Sequence, residues 1–196
     1  MPVFIASMNM RGTWAPRPIN SIPLNVTSAQ SKTSKERLTF SPMTPIAGAY
    51  KGYACFENYW QSGKVYETLD RTKQLTWWRT QTEGKRRYPG SKGLVVLHSD
   101  HGDGVTRDYI TSRKEVYVPE YRELVKDSDV LAKWRERAKT ETIVVYDFDG
   151  PRLEDGTPTC LPLTRELLIE KINDTKYPFG HGYIVAALLG GHTLTD

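Results

Sequence analysis

The run Thr142-Ile143-Val144-Val145-Tyr146 constrains the fold more than any other stretch. It is continuous, β-branched and uncharged, the pattern of a strand buried on both faces. It leads directly into Asp147-Phe148-Asp149-Gly150-Pro151-Arg152. A central strand ending in acids, Gly and Pro is open to two readings. One is a site at the carboxyl end of a strand in an α/β sheet, the other a tight turn built from turn-forming residues. If the strand continues through this turn, Asp147 and Asp149 point to opposite sides.

Around this strand the chain reads as one α/β or α+β domain, mostly helical around a small sheet. Val3-Phe4-Ile5-Ala6 and Leu24-Asn25-Val26-Thr27 are short strand candidates, and Leu94-Val95-Val96-Leu97 is a third. Prolines 16, 18 and 23 make the segment between the first two a loop. Residues 28–36 read as a polar connection, residues 1–37 as an N-terminal strand and loop extension, and 38–196 as the catalytic domain. Helices are expected at about 56–69, 107–117, 119–139 with an interruption at Asp127-Ser128-Asp129, 163–172 and 183–189.

The helix at 56–69 carries the chemistry. Glu57, Gln61 and Lys64 stand at i, i+4 and i+7, offsets that share one helical face. Phe56, Tyr59 and Trp60 crowd around that polar face. A carboxylate with aromatic walls suits acid/base work on a ring-binding ligand, and an amphipathic helix with a surface Glu–Lys pair accounts for the same spacing. Five Trp, eleven Tyr and a net charge of +4 suit a protein that stacks on flat rings and meets anionic partners, nucleic acid among them.

Three further stretches supply candidates. Lys85-Arg86-Arg87, following Trp77-Trp78, pairs basic groups with aromatic ones, as phosphate-and-base recognition requires. A solvated charged turn reads the same way. His98-Ser99-Asp100-His101 holds metal-ligand residue types without a strong zinc spacing. Gly180-His181-Gly182 opens a last helix that is apolar all round. Its first N–H groups can take a phosphate, and close backbone packing explains the glycines equally. Cys55 and Cys160 form neither a CxxC pair nor a disulfide framework. No apolar run reaches membrane-spanning length, and the first residues lack signal-peptide character, so an intracellular, cytoplasmic protein without a membrane partner is expected.

Phe40-Ser41-Pro42-Met43-Thr44-Pro45, then Gly52-Tyr53, then Glu57-Asn58-Tyr59-Trp60-Gln61-Ser62-Gly63-Lys64 resemble the NADAR superfamily. In that family a Pro-containing turn precedes a helix with Glu, Gln and Lys at these offsets. The chain departs from the pattern at Asn58, where the family usually has His, and at Gly150-Pro151, where it often has Trp-Gly. The resemblance implies cleavage of a ribose C1′–N bond in a phosphorylated nucleoside-like or ADP-ribosylated substrate, with no cofactor and no metal. It implies Glu57 and Asp149 as catalytic carboxylates. Trp60, Gln61, Lys64, Arg86, Arg87, Arg152 and His181 are then the substrate-binding candidates. Two other classes fit the same residues. One is a binding module for nucleic acid or ADP-ribose-type ligands that cleaves nothing. The other is a metal-dependent nuclease or phosphatase using His98, His101, Asp147 and Asp149.

Overall fold

A computed structural model describes residues 1–194. In chain order the first elements are β1 (Val3–Ser7), β2 (Ile22–Asn25), α1 (Lys35–Phe40), α2 (Phe56–Ser62), β3 (Lys64–Tyr66) and α3 (Arg71–Thr80). They are followed by β4 (Val96–Ser99), α4 (Tyr109–Ser112) and a π-helical turn (Arg113–Tyr117). The remainder is α5 (Val118–Val125), α6 (Asp129–Thr140), β5 (Ile143–Asp147), β6 (Cys160–Pro162), α7 (Arg165–Ile172) and α8 (His181–Gly190). The class is mixed α/β, mostly helical around a small sheet. No helix among the described residues is long and apolar enough to cross a membrane.

The chain divides into two units, Met1–Ser41 with Val118–Asp196, and Pro42–Tyr117. The first contains a four-stranded sheet in the order β2-β5-β1-β6. β5 runs parallel to both neighbours, in register Ile5↔Val145 and Leu24↔Val145, and β6 closes the edge antiparallel to β1. Every residue of β5 is buried, as its unbroken apolar run requires. Residues 1–37, read as an extension, supply two of the four strands. α8 packs on β1 and β5, and its eight buried residues explain why it is apolar all round. α5 and α6 pack on α8, and α1 on α6. Ser128 caps α6 by accepting the Leu131 N–H, which places the helix interruption at 126–128. Leu38-Thr39-Phe40 belongs to a helix, because Ser34 caps it through the Arg37 N–H and ends the polar connection early.

The second unit has α2 and α3 packed together and a two-stranded antiparallel sheet of β3 and β4. The expected helix over 56–69 stops at Ser62, and Gly63 caps it. The chain then turns into β3, whose Lys64 pairs with Ser99 of β4. The strand expected at 94–97 begins at Val96 and runs on through His98, which pairs with Val65. The helix expected over 107–117 is split into α4 and the π-helical turn.

Candidate functional site

The Glu57 face is built from backbone and side-chain ties within the second unit. The proline-rich segment folds back so that the Pro42 carbonyl accepts the Glu57 N–H at 2.9 Å. That bond satisfies one of the donors left open in the first turn of a helix. One turn on, Gln61 Nε2 donates to Glu57 Oε1 at 2.7 Å. The carboxylate is thereby oriented by a neutral amide one turn along the same helix. Glu57 and Gln61 are both half-buried. Just before them, burial pushes the Cys55 thiol up to about 11, with the Glu57 charge adding in the same direction.

Between those two residues, Asn58 is fully buried and faces the other way. Its Nδ2 donates to the Glu83 carbonyl at 2.9 Å, and its Oδ1 accepts the Lys85 N–H at 2.8 Å. A two-ended amide is what such a clamp needs, and this is the structural use of the residue that departs from the resembled pattern. Gly84, inside the clamp, has no room for a side chain, since a Cβ there would lie 2.5 Å from the Met43 carbonyl oxygen. The loop that leads into Arg86 and Arg87 is therefore pinned to the helix that carries Glu57, and both arginines are exposed.

Trp60 is placed differently from the substrate-stacking wall expected of it. It is 9% exposed and already stacked on His101, with centroids 5.2 Å apart and rings 14° from parallel, while Tyr117 meets it at 4.9 Å edge-on. Gly63 makes this stack possible: a Cβ there would lie 2.3 Å from His101 Cε1. Lys64 leaves the Glu57–Gln61 face because the helix has ended, so the three-residue helical spacing holds for two residues only. The Lys64 carbonyl accepts Gln74 Nε2 at 2.8 Å. Arg71, which sequence reasoning passed over, donates to the carbonyls of Ser62 and Asp100 and locks the end of α2 to the start of the loop after β4. Nothing in the linear sequence marks it, since both acceptors are backbone.

The acidic turn after β5 belongs to the first unit. The strand ends at Asp147, so the alternation that would set Asp147 and Asp149 on opposite sides does not apply. Asp147 is buried and Asp149 exposed. Asp147 Oδ2 accepts the Gly182 N–H at 2.7 Å and lies 3.4 Å from His181 Nδ1. His181 Nε2 is 2.8 Å from the Val26 carbonyl. His181 is thus engaged on both ring nitrogens inside its own unit, where a substrate-binding role had been expected. The glycines beside it are steric necessities: Cβ atoms on Gly180 and Gly182 would come within 2.2 Å and 2.5 Å of Asp147. Burial raises the Tyr121 and Tyr183 hydroxyl pKa values, and the nearby Asp147 charge raises them further. Arg152, expected at a phosphate, donates to the carbonyls of Phe148 at 3.0 Å and Gly156 at 3.2 Å, stapling its own turn. Among the described residues no three His, Cys, Asp or Glu side chains gather to hold a metal ion.

Residues 20–164 match the model of a family of unknown function, DUF6939. The chain belongs to DUF6939. No curated protein matches it, and no solved structure does. The DUF6939 match begins just before β2 and ends at the residue that caps α7. Glu57, Gln61, the Asn58 clamp and Asp149 lie inside it, whereas β1 and the His181 end of α8 lie outside.

Proposed function

We propose that this chain hydrolyses the C1′–N bond of a phosphorylated ribose-containing substrate, with Glu57 as the central carboxylate. The observation that supports it is the Glu57–Gln61 bond of 2.7 Å on a helix whose neighbouring loop carries Arg86 and Arg87. Breaking C1′–N leaves positive charge on the ribose, which a nearby carboxylate stabilises. Water then adds to C1′ while Glu57 accepts its proton, and the departing base nitrogen takes up a proton, giving a free base and a ribose hydroxyl. Gln61 holds the carboxylate in position. Arg86 and Arg87 supply charge for the phosphate. The resemblance to NADAR proteins supports the same reaction class.

A second reading, binding of a ribose-containing ligand or nucleic acid without cleavage, draws on the Trp60–His101 stack. That stack and its burial leave Trp60 without the open aromatic face expected of a substrate-stacking wall.

Mass spectrometry of products separates the two. Wild type and Glu57→Gln are incubated with ADP-ribosylated nucleotides and DNA, NAD, ADP-ribose and phosphoribosylamine pyrimidines. Base release by wild type alone, with substrate binding retained in Glu57→Gln, is the expected result. Equal turnover by the variant removes Glu57 from catalysis. Tight, salt-sensitive binding with no product from any compound establishes the binding module instead. Asp149→Asn in the same panel shows whether a second carboxylate takes part.

A further inference from the structure

The first unit carries a cleft of about 390 Å³, and no residue lining it belongs to the unit that holds Glu57. Leu24 and Pro23 of β2 provide its apolar lining, Trp14 and Trp134 its aromatic surface, and Asn25, Gln30 and Glu36 its polar groups. Trp14 is 38% exposed, a large apolar area to leave in water. It is nonetheless held in place. Its ring lies 4.5 Å from that of Tyr146, and the Tyr146 hydroxyl donates to the carbonyl of the next residue, Ala15, at 2.5 Å. An exposed indole fixed from behind is a preformed stacking platform, which loses little rotamer entropy when a flat ring settles on it.

The polar groups are fixed too. Trp134 Nε1 donates to Glu36 Oε1 at 3.3 Å, and the Ser34 hydroxyl lies 3.3 Å from Oε2. Two such contacts leave most of the acceptor capacity of a carboxylate unused. Gln30 Nε2 is tied to the Asn25 carbonyl, and Gln30 Oε1 accepts from Ser34 at 2.9 Å. Asn25 Oδ1 accepts both the N–H and the hydroxyl of Thr27, at 2.9 Å and 2.7 Å. Asn25 therefore offers a ligand its Nδ2 donor, and Glu36 offers acceptors. A small cation is disfavoured as the occupant, because Arg137 already sits 4.6 Å from the Trp134 ring centroid and interacts with the Glu36 charge.

We propose that this cleft binds a purine with a guanine-type edge: the ring stacks on Trp14, adjacent ring and amino N–H groups donate to Glu36, and the neighbouring carbonyl accepts from Asn25. A carboxylate receiving two N–H groups side by side is a charge-assisted pair, and a ring on an exposed indole adds stacking. The site stands apart from the reaction proposed for Glu57 and does not depend on it.

The test uses the full ¹⁵N-labelled chain and its indole N–H resonances, titrated with guanosine, inosine and tetramethylammonium. Trp14→Phe and Trp134→Phe identify their two signals. Guanosine shifts those two signals, and it binds about tenfold more tightly than inosine, which lacks the amino donor. Glu36→Gln, with an unchanged circular dichroism spectrum, weakens guanosine about tenfold and removes its advantage over inosine. The proposal is overturned if millimolar guanosine leaves both signals in place, if Glu36→Gln binds guanosine as wild type does, or if tetramethylammonium alone shifts them.

Discussion

Replacing Asp147 tests how the first unit holds its last helix. In the folded chain this carboxylate is 1% exposed and accepts the Gly182 N–H at 2.7 Å, at the amino-terminal end of α8. Asp147→Ala removes a charge-assisted hydrogen bond worth about 2 kcal/mol and a favourable charge at the helix terminus worth about 1 kcal/mol. The Gly182 N–H is left buried with no acceptor, which brings the hydrogen-bond loss to about 3 kcal/mol. Release of a buried carboxylate from its desolvated position offsets a part of this. The net loss is about 3 kcal/mol, and with a urea m-value near 2 kcal/mol/M it lowers the unfolding midpoint by about 1.5 M. Asp147→Asn keeps an acceptor oxygen of the same shape and gives up the charge, so its midpoint falls about half as far. Urea unfolding followed by circular dichroism at 222 nm reads both. A midpoint for Asp147→Ala within about 0.3 M of wild type would falsify the claim that Asp147 anchors α8. Equal losses for Ala and Asn would refute the electrostatic part of it.

Asn58→Ala should cost about 1–2 kcal/mol and release the Glu83–Lys85 loop, because both ends of a buried amide lose their partners. Hydrogen exchange at the Lys85 N–H reads it, and unchanged protection there rules out the clamp. Asp103 is bound by Arg107 at 2.7 Å, and that bond holds its carboxyl down to about 2. Its folded value lies below the unfolded one, so whatever stability it lends is complete above the usual carboxylate range and is lost as pH falls toward 2. A carbon-detected titration of Asp103 should show this low midpoint, and Arg107→Ala should raise it toward the ordinary range, with the Val105 N–H still lowering it. An unmoved midpoint in that variant assigns the shift to another cause. Burial raises both thiols, Cys55 and Cys160, to about 11. Both should stay slow toward a disulfide reagent at pH 8 and react promptly in urea. Because the unfolded thiols ionise first, the folded state loses stability as pH rises from about 9 to 11. Fast labelling of native protein at pH 8 contradicts the burial.

The run at 142–146 was legible as a buried central strand because an unbroken β-branched stretch has no polar face to turn to water, and β5 is flanked on both sides. The apolar last helix, a helix break around Ser128 and the Glu57–Gln61 spacing were legible for the same kind of reason: each depends on side chains a few residues apart. Lys64 was misplaced because α2 stops at Ser62 and the chain turns into β3, where Lys64 pairs with Ser99, thirty-five residues away in the chain. The partners of Arg152, and those that tie Arg71 to Ser62 and Asp100, are backbone carbonyls, which every residue type carries, so no sequence pattern announces them. Trp60 and Trp14 illustrate the same limit from the other side. As letters they are equivalent, yet one is stacked inside its unit and the other stands open beside Glu36 and Asn25. Sequence determines which side chains have to be buried and which short-range pairs can form. Only the tertiary structure decides which aromatic face, carboxylate or guanidinium remains available to a ligand, because availability is settled by contacts between residues far apart in the chain.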